Sequence, residues 1–250
     1  MRRLLPDPAG PVDVYDAYRT DGERPLLRLN MVLSADGRAT DREDRTAALG
    51  GDGDHEVFRT LRALADGIIA GAGTVRAERY GPHRLRADLA ERRAADARPL
   101  PAPIIVVSRS LDLDYDAPLF TEAATPTIVL TCDAAPEERR AAAAHAGVLV
   151  VAGDTEVDLA VAIRLLRERF GLMHLLCEGG PSLNGPLLDA GLVDELCLTL
   201  APTQIGTPGP TLVSQLTSST HLDLLHVLES DGELYLRYSV KGGAAPPSER

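Results

Sequence analysis

Basic surface, cysteine and long apolar runs are all scarce in this chain of 250 residues, and each scarcity removes a class of function. Lysine and arginine number 26 against 37 aspartates and glutamates, a formal charge of −11 that repels phosphodiester backbones and anionic lipid. No nucleic-acid partner is expected. The cysteines, Cys132, Cys177 and Cys197, are odd in number and lack C-x-x-C spacing, so neither a disulfide framework nor a structural zinc site follows. No apolar run approaches the ~20 residues of a membrane span, and the start MRRLLPDPAGP has no apolar signal core before its prolines. The expected location is the cytoplasm. The HExxH, HxE…CxxC, GxSxG and GxxxxGK[ST] patterns are missing as well, and the six histidines show no ligand spacing, so no metal is expected. What remains is chemistry borrowed from a cofactor or built from carboxylates.

The composition present, 44% hydrophobic and 25% charged, is that of a folded domain. Residues 1–25, rich in proline and charge, read as an irregular lead-in, 26–241 as one domain and 242–250 (GGAAPPSER) as a disordered tail. Strand-length apolar runs at 26–34, 67–70, 103–108, 127–130, 148–151, 173–177 and 195–201 alternate with helical patterns at 54–64, 74–79, 136–146, 157–170 and 182–190. Such alternation implies a largely parallel sheet. Near the end, runs at 221–229 and 233–240 flank a Ser-Asp-Gly turn and predict an antiparallel hairpin at a sheet edge. The Arg-rich stretch 84–101 reads as an exposed excursion with some helix that borders a ligand.

Two strand-to-helix junctions carry glycines where a helix begins. In DGIIAGAGTVRAE, Gly71 and Gly73 let backbone approach a ligand, and Thr74 offers a hydroxyl that caps the helix or binds phosphate. In MHLLCEGGPSLNGP, Gly179 and Gly180 precede Pro181, a residue suited to a first helical turn. The amides of Gly180, Ser182 and Leu183 are then expected to face an anion such as a diphosphate. Glu178, at the carboxyl end of an apolar strand, needs a donor to offset its burial. Two further strand ends are weaker signals: Ser34-Ala35-Asp36-Gly37 is an ordinary turn sequence, and Ser108-Arg109 after PIIVV suits a phosphate such as the adenosine 2′-phosphate of NADP.

In this order and spacing, NMVLSADG, GAGTVRAE, VVSRSLDLD and CEGGPSLNGPLLDAGLVDELCLTLAP resemble the riboflavin-pathway pyrimidine reductase family, the reductase domain of the bifunctional deaminase/reductase proteins. The resemblance spans roughly residues 26–240 and implies a dihydrofolate-reductase-like αβα sandwich around a mixed, mostly parallel sheet. It also implies NADPH as hydride donor and a homodimer built around the sheet edge. Residue by residue, it assigns Thr74, Ser108 and Gly180 through Asn184 to the cofactor, with Glu78 where the family often has aspartate. It assigns Glu178 to the pyrimidine, Arg62 to the sugar phosphate, and Ser34 and Asp36 to the pocket flank, with Asp36 either assisting proton delivery or orienting substrate. The family's D-P-x-L-T-V-R stretch is replaced by Arg79-Tyr80-Gly81-Pro82-His83-Arg84, leaving Arg84 as the stand-in phosphate ligand. The family's serine and tryptophan before the long helix become Thr46 and Ala48, and Thr46 is the alternative to Arg84 as a phosphate ligand beside Arg62.

The expected reaction is reduction of 5-amino-6-(5-phosphoribosylamino)uracil at ribose C1′, without the deaminase half. Two alternatives stay open: a dihydrofolate or dihydropteridine reductase on the same fold, and a non-catalytic dinucleotide-binding module.

Overall fold

The computed structural model describes residues 1–20, 24–43, 45–46, 48–98 and 100–241; the expected disordered tail lies outside them. In chain order the elements are β1 (Arg2–Leu5), α1 (Val14–Tyr18), β2 (Leu26–Ser34), α2 (Asp52–Leu64), β3 (Gly67–Gly71), α3 (Ala72–Ala77), α4 (Ala87–Ala95), β4 (Ile104–Val107) and α5 (Pro118–Thr121). There follow β5 (Ile128–Thr131), α6 (Glu137–Ala146), β6 (Val148–Val151), α7 (Leu159–Phe170), β7 (His174–Cys177), α8 (Pro181–Asp189), β8 (Glu195–Ala201), β9 (His221–Ser230) and β10 (Glu233–Lys241).

All ten strands join one sheet in the order β1-β9-β10-β8-β2-β7-β3-β4-β5-β6. The stretch from β8 through β2 to β6 is parallel, and β10, β9 and β1 add antiparallel strands. This is the mixed, mostly parallel sheet that the sequence implies. Its parallel strands are short apolar runs because helices cover both faces. On one face Val57 and Leu61 of α2, Val75 of α3 and Leu89 of α4 pack on Ile68, Ile104 and Val106. On the other, Ala162, Ile163 and Leu166 of α7 and Leu183 and Leu187 of α8 pack on Leu27, Leu29, Ile69 and Ile105.

Individual elements follow from local signals. Helix α7 starts at Asp158, whose carboxylate accepts the Val161 amide, and ends at Gly171, whose φ of 67° suits glycine. Helix α4 lies within the expected excursion and is anchored by the buried Arg93, which donates to the carbonyls of Ala63, Ala65 and Leu100. With Arg98 on Leu64 O, it satisfies the carbonyls at the end of α2.

Two expectations need correction. The lead-in is not irregular: β1 pairs with β9, and α1 buries Val14, Tyr15 and Tyr18. A four-residue strand RRLL and a five-residue helix carry too few residues to show periodicity, and both form by docking on surfaces made elsewhere. The hairpin β9–β10 is also not outermost along its whole length, because β1 covers Val227–Glu229.

Between β2, β8 and β10 lies a buried charge cluster. Glu195 accepts from Arg28 Nε at 2.6 Å and from Arg237 Nη2 at 2.6 Å. Burial pushes the Glu195 carboxyl up, but the two guanidiniums outweigh it and hold the group below its ordinary value. Glu195→Gln leaves two buried cations facing a neutral amide, and we expect a loss of about 3–5 kcal/mol in chemical denaturation. In the parent this contribution is present above the unfolded carboxyl value near ~4.3 and is lost as pH falls through the depressed folded value; in the variant that acid dependence should shrink.

Candidate active site

Strands β3 and β7 are neighbours, yet the chain leaves them in opposite directions. From β3 it passes through α3 and α4 to β4 and on towards β6, whereas from β7 it passes through α8 to β8, beyond β2. Right-handed crossovers therefore put α3 and α8 on opposite faces and open a crevice at the carboxyl ends between them. The two glycine junctions meet in it. The Gly71 amide donates to Gly179 O at 2.8 Å, and a Cβ on Gly180 would stand 2.8 Å from Thr74 Oγ1. Gly179 has a φ of +87°, the region that favours glycine, and a Cβ there would meet Met31 Sδ at 3.0 Å. Beside them Gly73 faces open space. The resulting cleft encloses about 660 Å³, a volume suited to a small organic ligand.

The back of the cleft is a charged cluster. Glu178 leaves β7 with its side chain 3% exposed, and Arg62 of α2 meets it with two donors, Nε at 2.6 Å and Nη2 at 2.7 Å. The Tyr80 hydroxyl donates to Glu178 Oε2 at 2.6 Å, and burial beside that carboxylate raises the phenol well above its ordinary value. The guanidinium stacks over Phe58, 4.2 Å from the ring centroid, and lies 5.4 Å from that of Tyr80. Behind it His83 is pushed down to about 4, by burial first and then by Arg62, so its neutral ring donates Nδ1–H to Ala102 O.

Of the residues singled out in the sequence, Thr46, Arg62, Gly73, Thr74, Glu78, Glu178, Gly180, Pro181 and Ser182 line this cleft. Glu78 accepts the Thr46 amide at 3.2 Å. Others take structural positions. The Leu183 and Asn184 amides both donate to Gly180 O, so Leu183 is not an anion donor, and its side chain lies in the core. The buried Asn184 amide donates to Leu212 O at 2.8 Å. Gly71 and Gly179 hold the two junctions together rather than lining the cavity.

Asp36 is corrected more fully. It accepts the Ser34 hydroxyl at 2.6 Å and the amides of Ile205 and Gly206 at 3.1 and 2.8 Å. These donors, Ser34 first, hold its carboxyl far below the usual carboxylate range, which suits a pin for the 202–220 segment and not a proton donor. Ser34 serves the same turn, its hydroxyl accepting the Arg38 amide. Arg84 points away to Glu122, and its side chain is 70% exposed. Ser108 caps the Leu111 amide and Arg109 pairs with Glu156 at the surface.

Sequence reasoning missed Asn30, Asp54, His55, Phe58 and Tyr80, all of which line the cleft. A signal for two of them was present: Asp54 and Phe58 recur with Arg62 at i, i+4 and i+8, one stripe of α2. Tyr80 gave none, because its role depends on meeting a carboxylate 98 positions away.

Fold and cleft together define an α/β protein that takes a small molecule where two glycine-rich strand ends meet. The chain belongs to the RibD C-terminal domain family, which it matches over residues 25–236. It is 30% identical over 230 residues to the 2,5-diamino-6-ribosylamino-4(3H)-pyrimidinone 5′-phosphate reductase of Methanothermobacter thermautotrophicus, an alignment covering 88% of this chain and 100% of that one. Among solved structures, a pyrimidine reductase-like protein from Corynebacterium diphtheriae superposes with a TM-score of 0.82 and 28% identity, over 92% of this chain and 99% of that one. The Saccharomyces cerevisiae riboflavin biosynthesis reductase Rib7 shares the fold at a TM-score of 0.68 and 18% identity, over 90% and 94% of the two chains. The curated relatives are thus reductases.

Arg62→Met removes both guanidinium donors and strands a buried carboxylate on one tyrosine hydroxyl. We expect a loss of about 3–5 kcal/mol in denaturant unfolding, and Arg62→Met/Glu178→Leu should recover part of it.

Proposed function

We propose that the protein reduces a ribosylaminopyrimidine 5′-phosphate at ribose C1′, with NADPH as the electron donor. The observation that carries this is the meeting of two glycine-rich strand ends beside a buried carboxylate, in a chain whose full-length curated relatives are pyrimidine reductases. The nicotinamide, when bound, supplies the hydride. Gly73, Thr74, Gly180 and Ser182 are the residues that would hold the dinucleotide: Gly73 opens onto the cleft, and Ser182 stands in the first turn of α8, where amides lack intrahelical acceptors.

Preference for the 2′-phosphate draws support from a basic collar on an otherwise acidic chain. Around the turn after β4, Arg76 donates to Asp112 O, Arg139 donates to Ser110 O, and Arg109 stands between them in sequence, held at the surface by Glu156. An exposed pair of that kind exchanges readily for a phosphate.

Glu178 would recognise the pyrimidine. Its Oε2 accepts two hydrogen bonds and its Oε1 one, which leaves Oε1 capacity for a ring N–H or amino donor. Both the aminouracil and its 2-amino pyrimidinone counterpart offer one. Arg62, spent on Glu178, positions that carboxylate and is not a free phosphate ligand; Arg79, exposed at the cleft lining, is the cation placed for the phosphate. A second copy of the chain would dock on β9, where Leu222, Leu224 and Leu225 are exposed; sedimentation of a monomer at micromolar concentration would refute that docking.

The test is cofactor oxidation followed at 340 nm with the aminouracil, the 2-amino pyrimidinone or dihydrofolate, each with NADPH and NADH. Turnover with either phosphorylated pyrimidine is expected, and turnover with dihydrofolate alone would overturn the substrate. Glu178→Ala should abolish turnover, and Arg109→Ala should weaken NADPH binding by about tenfold with NADH unchanged.

A further inference from the structure

The reduction proposed above needs a proton as well as a hydride, and the cleft holds four carboxyl or imidazole side chains: Asp54, His55, Glu78 and Glu178. Glu178 is committed to Arg62 and Tyr80, and Glu78 to the Thr46 amide. Asp54 is placed differently. It stands in the first turn of α2, on the stripe shared with Phe58 and Arg62, about 12 Å along the helix from Arg62 at 1.5 Å per residue. From β8 the buried Thr199 donates its hydroxyl to it. From β10 the buried Glu233 faces it, itself holding the Gly51 amide at 2.6 Å and the Tyr235 hydroxyl at 2.5 Å. On its own helix the neighbour is His55, and the Gly50 backbone packs so closely that a Cβ there would collide with Asp54 Oδ2. A carboxyl group that is half-buried, opens on a ligand cleft and faces a second carboxylate is a proton donor's environment.

We propose that Asp54 is the general acid that opens the ribose ring of the bound ribosylaminopyrimidine, an assignment that rests on the reductase reading above. The C1′–O4′ bond breaks and its electron pair stays on O4′, which takes the Asp54 proton and becomes a hydroxyl. The lone pair of the exocyclic nitrogen forms the C1′=N bond, giving a cationic imine beside an ionised Asp54. That imine is the acceptor a hydride donor requires, and Asp54 regains its proton from solvent through the open cleft. Burial pushes the carboxyl up, the Thr199 hydroxyl pulls it back, Glu233 pushes it up again and His55 opposes, with a net rise above the ordinary aspartate value.

Asp54→Asn keeps an oxygen for the Thr199 hydroxyl and removes only the proton. It should lower kcat by about 100-fold or more with KM changed by less than about threefold, while NADPH still binds. A second measurement needs no cofactor: the wild-type protein should speed interconversion of the two C1′ anomers of the substrate, seen by NMR with a labelled C1′, and Asp54→Asn should not. Thr199→Val, which keeps the carboxylate and removes the hydroxyl that lowers its pKa, should move the alkaline limb of the kcat profile to higher pH. An active wild type whose Asp54→Asn variant keeps full kcat, or an unshifted limb in Thr199→Val, overturns the assignment of Asp54 alone. A wild type silent towards both phosphorylated pyrimidines overturns the reductase reading itself. Should Asp54→Asn melt far below the parent, the pH limb of Thr199→Val decides.

Discussion

A carboxylate at the end of a buried strand has to be met by a cation, and the meeting of Glu178 with Arg62 organises the cleft. Ionised carboxylates are expensive to desolvate, and a side chain 3% exposed is tolerable only with donors on both oxygens. Arg62 supplies them from α2, which ties that helix to the end of β7. Its guanidinium is flat and stacks over Phe58, while Tyr80 closes the remaining side. One ion pair therefore sets where three aromatic or charged walls stand. It also explains why Arg62, which the family resemblance assigns to the sugar phosphate, has its guanidinium turned to Glu178 in the structure.

The carboxyl groups around the cleft are sorted by environment more than by type. Asp36 is surrounded by donors and stays ionised, which lets it hold the Ile205 and Gly206 amides and fix the segment that carries Pro210 over the cleft. Glu195 is ionised because two arginines enclose it. Asp54 has a hydroxyl and another carboxylate for company, and its proton is held more tightly. Within one acidic chain, the same functional group thus serves as a pin, a strut and a source of protons.

Much of the architecture was legible along the chain. The parallel strands are runs of Val, Ile and Leu, the bounds of β2, β6 and β8 coincide with their apolar runs, and Asp158 and Gly171 mark the ends of α7. The glycine junctions were legible too, since a strand that turns at once into a helix with Gly-Gly-Pro has few other uses. What failed was short or borrowed. β1 and α1 are too brief to show a period, and each exists because β9 or the face of α2 and α4 offers a surface. Arg84 and Ser108 were plausible ligands on type alone, but in the structure Arg84 turns away to Glu122 and Ser108 caps the Leu111 amide.

Sequence by itself determined the parallel strands, the main helices, the two glycine junctions and the net acidity, because these are matters of local pattern and summed charge. Only the tertiary structure decided which polar groups meet. Inserting β7 between β2 and β3 brings residues from opposite ends of the chain to one crevice, and hydrogen bonds and ion pairs act over a few ångströms of space, whatever the separation along the chain. Asp54 became chemically distinct, and Asp36 became a pin, by the neighbours that this packing gave them.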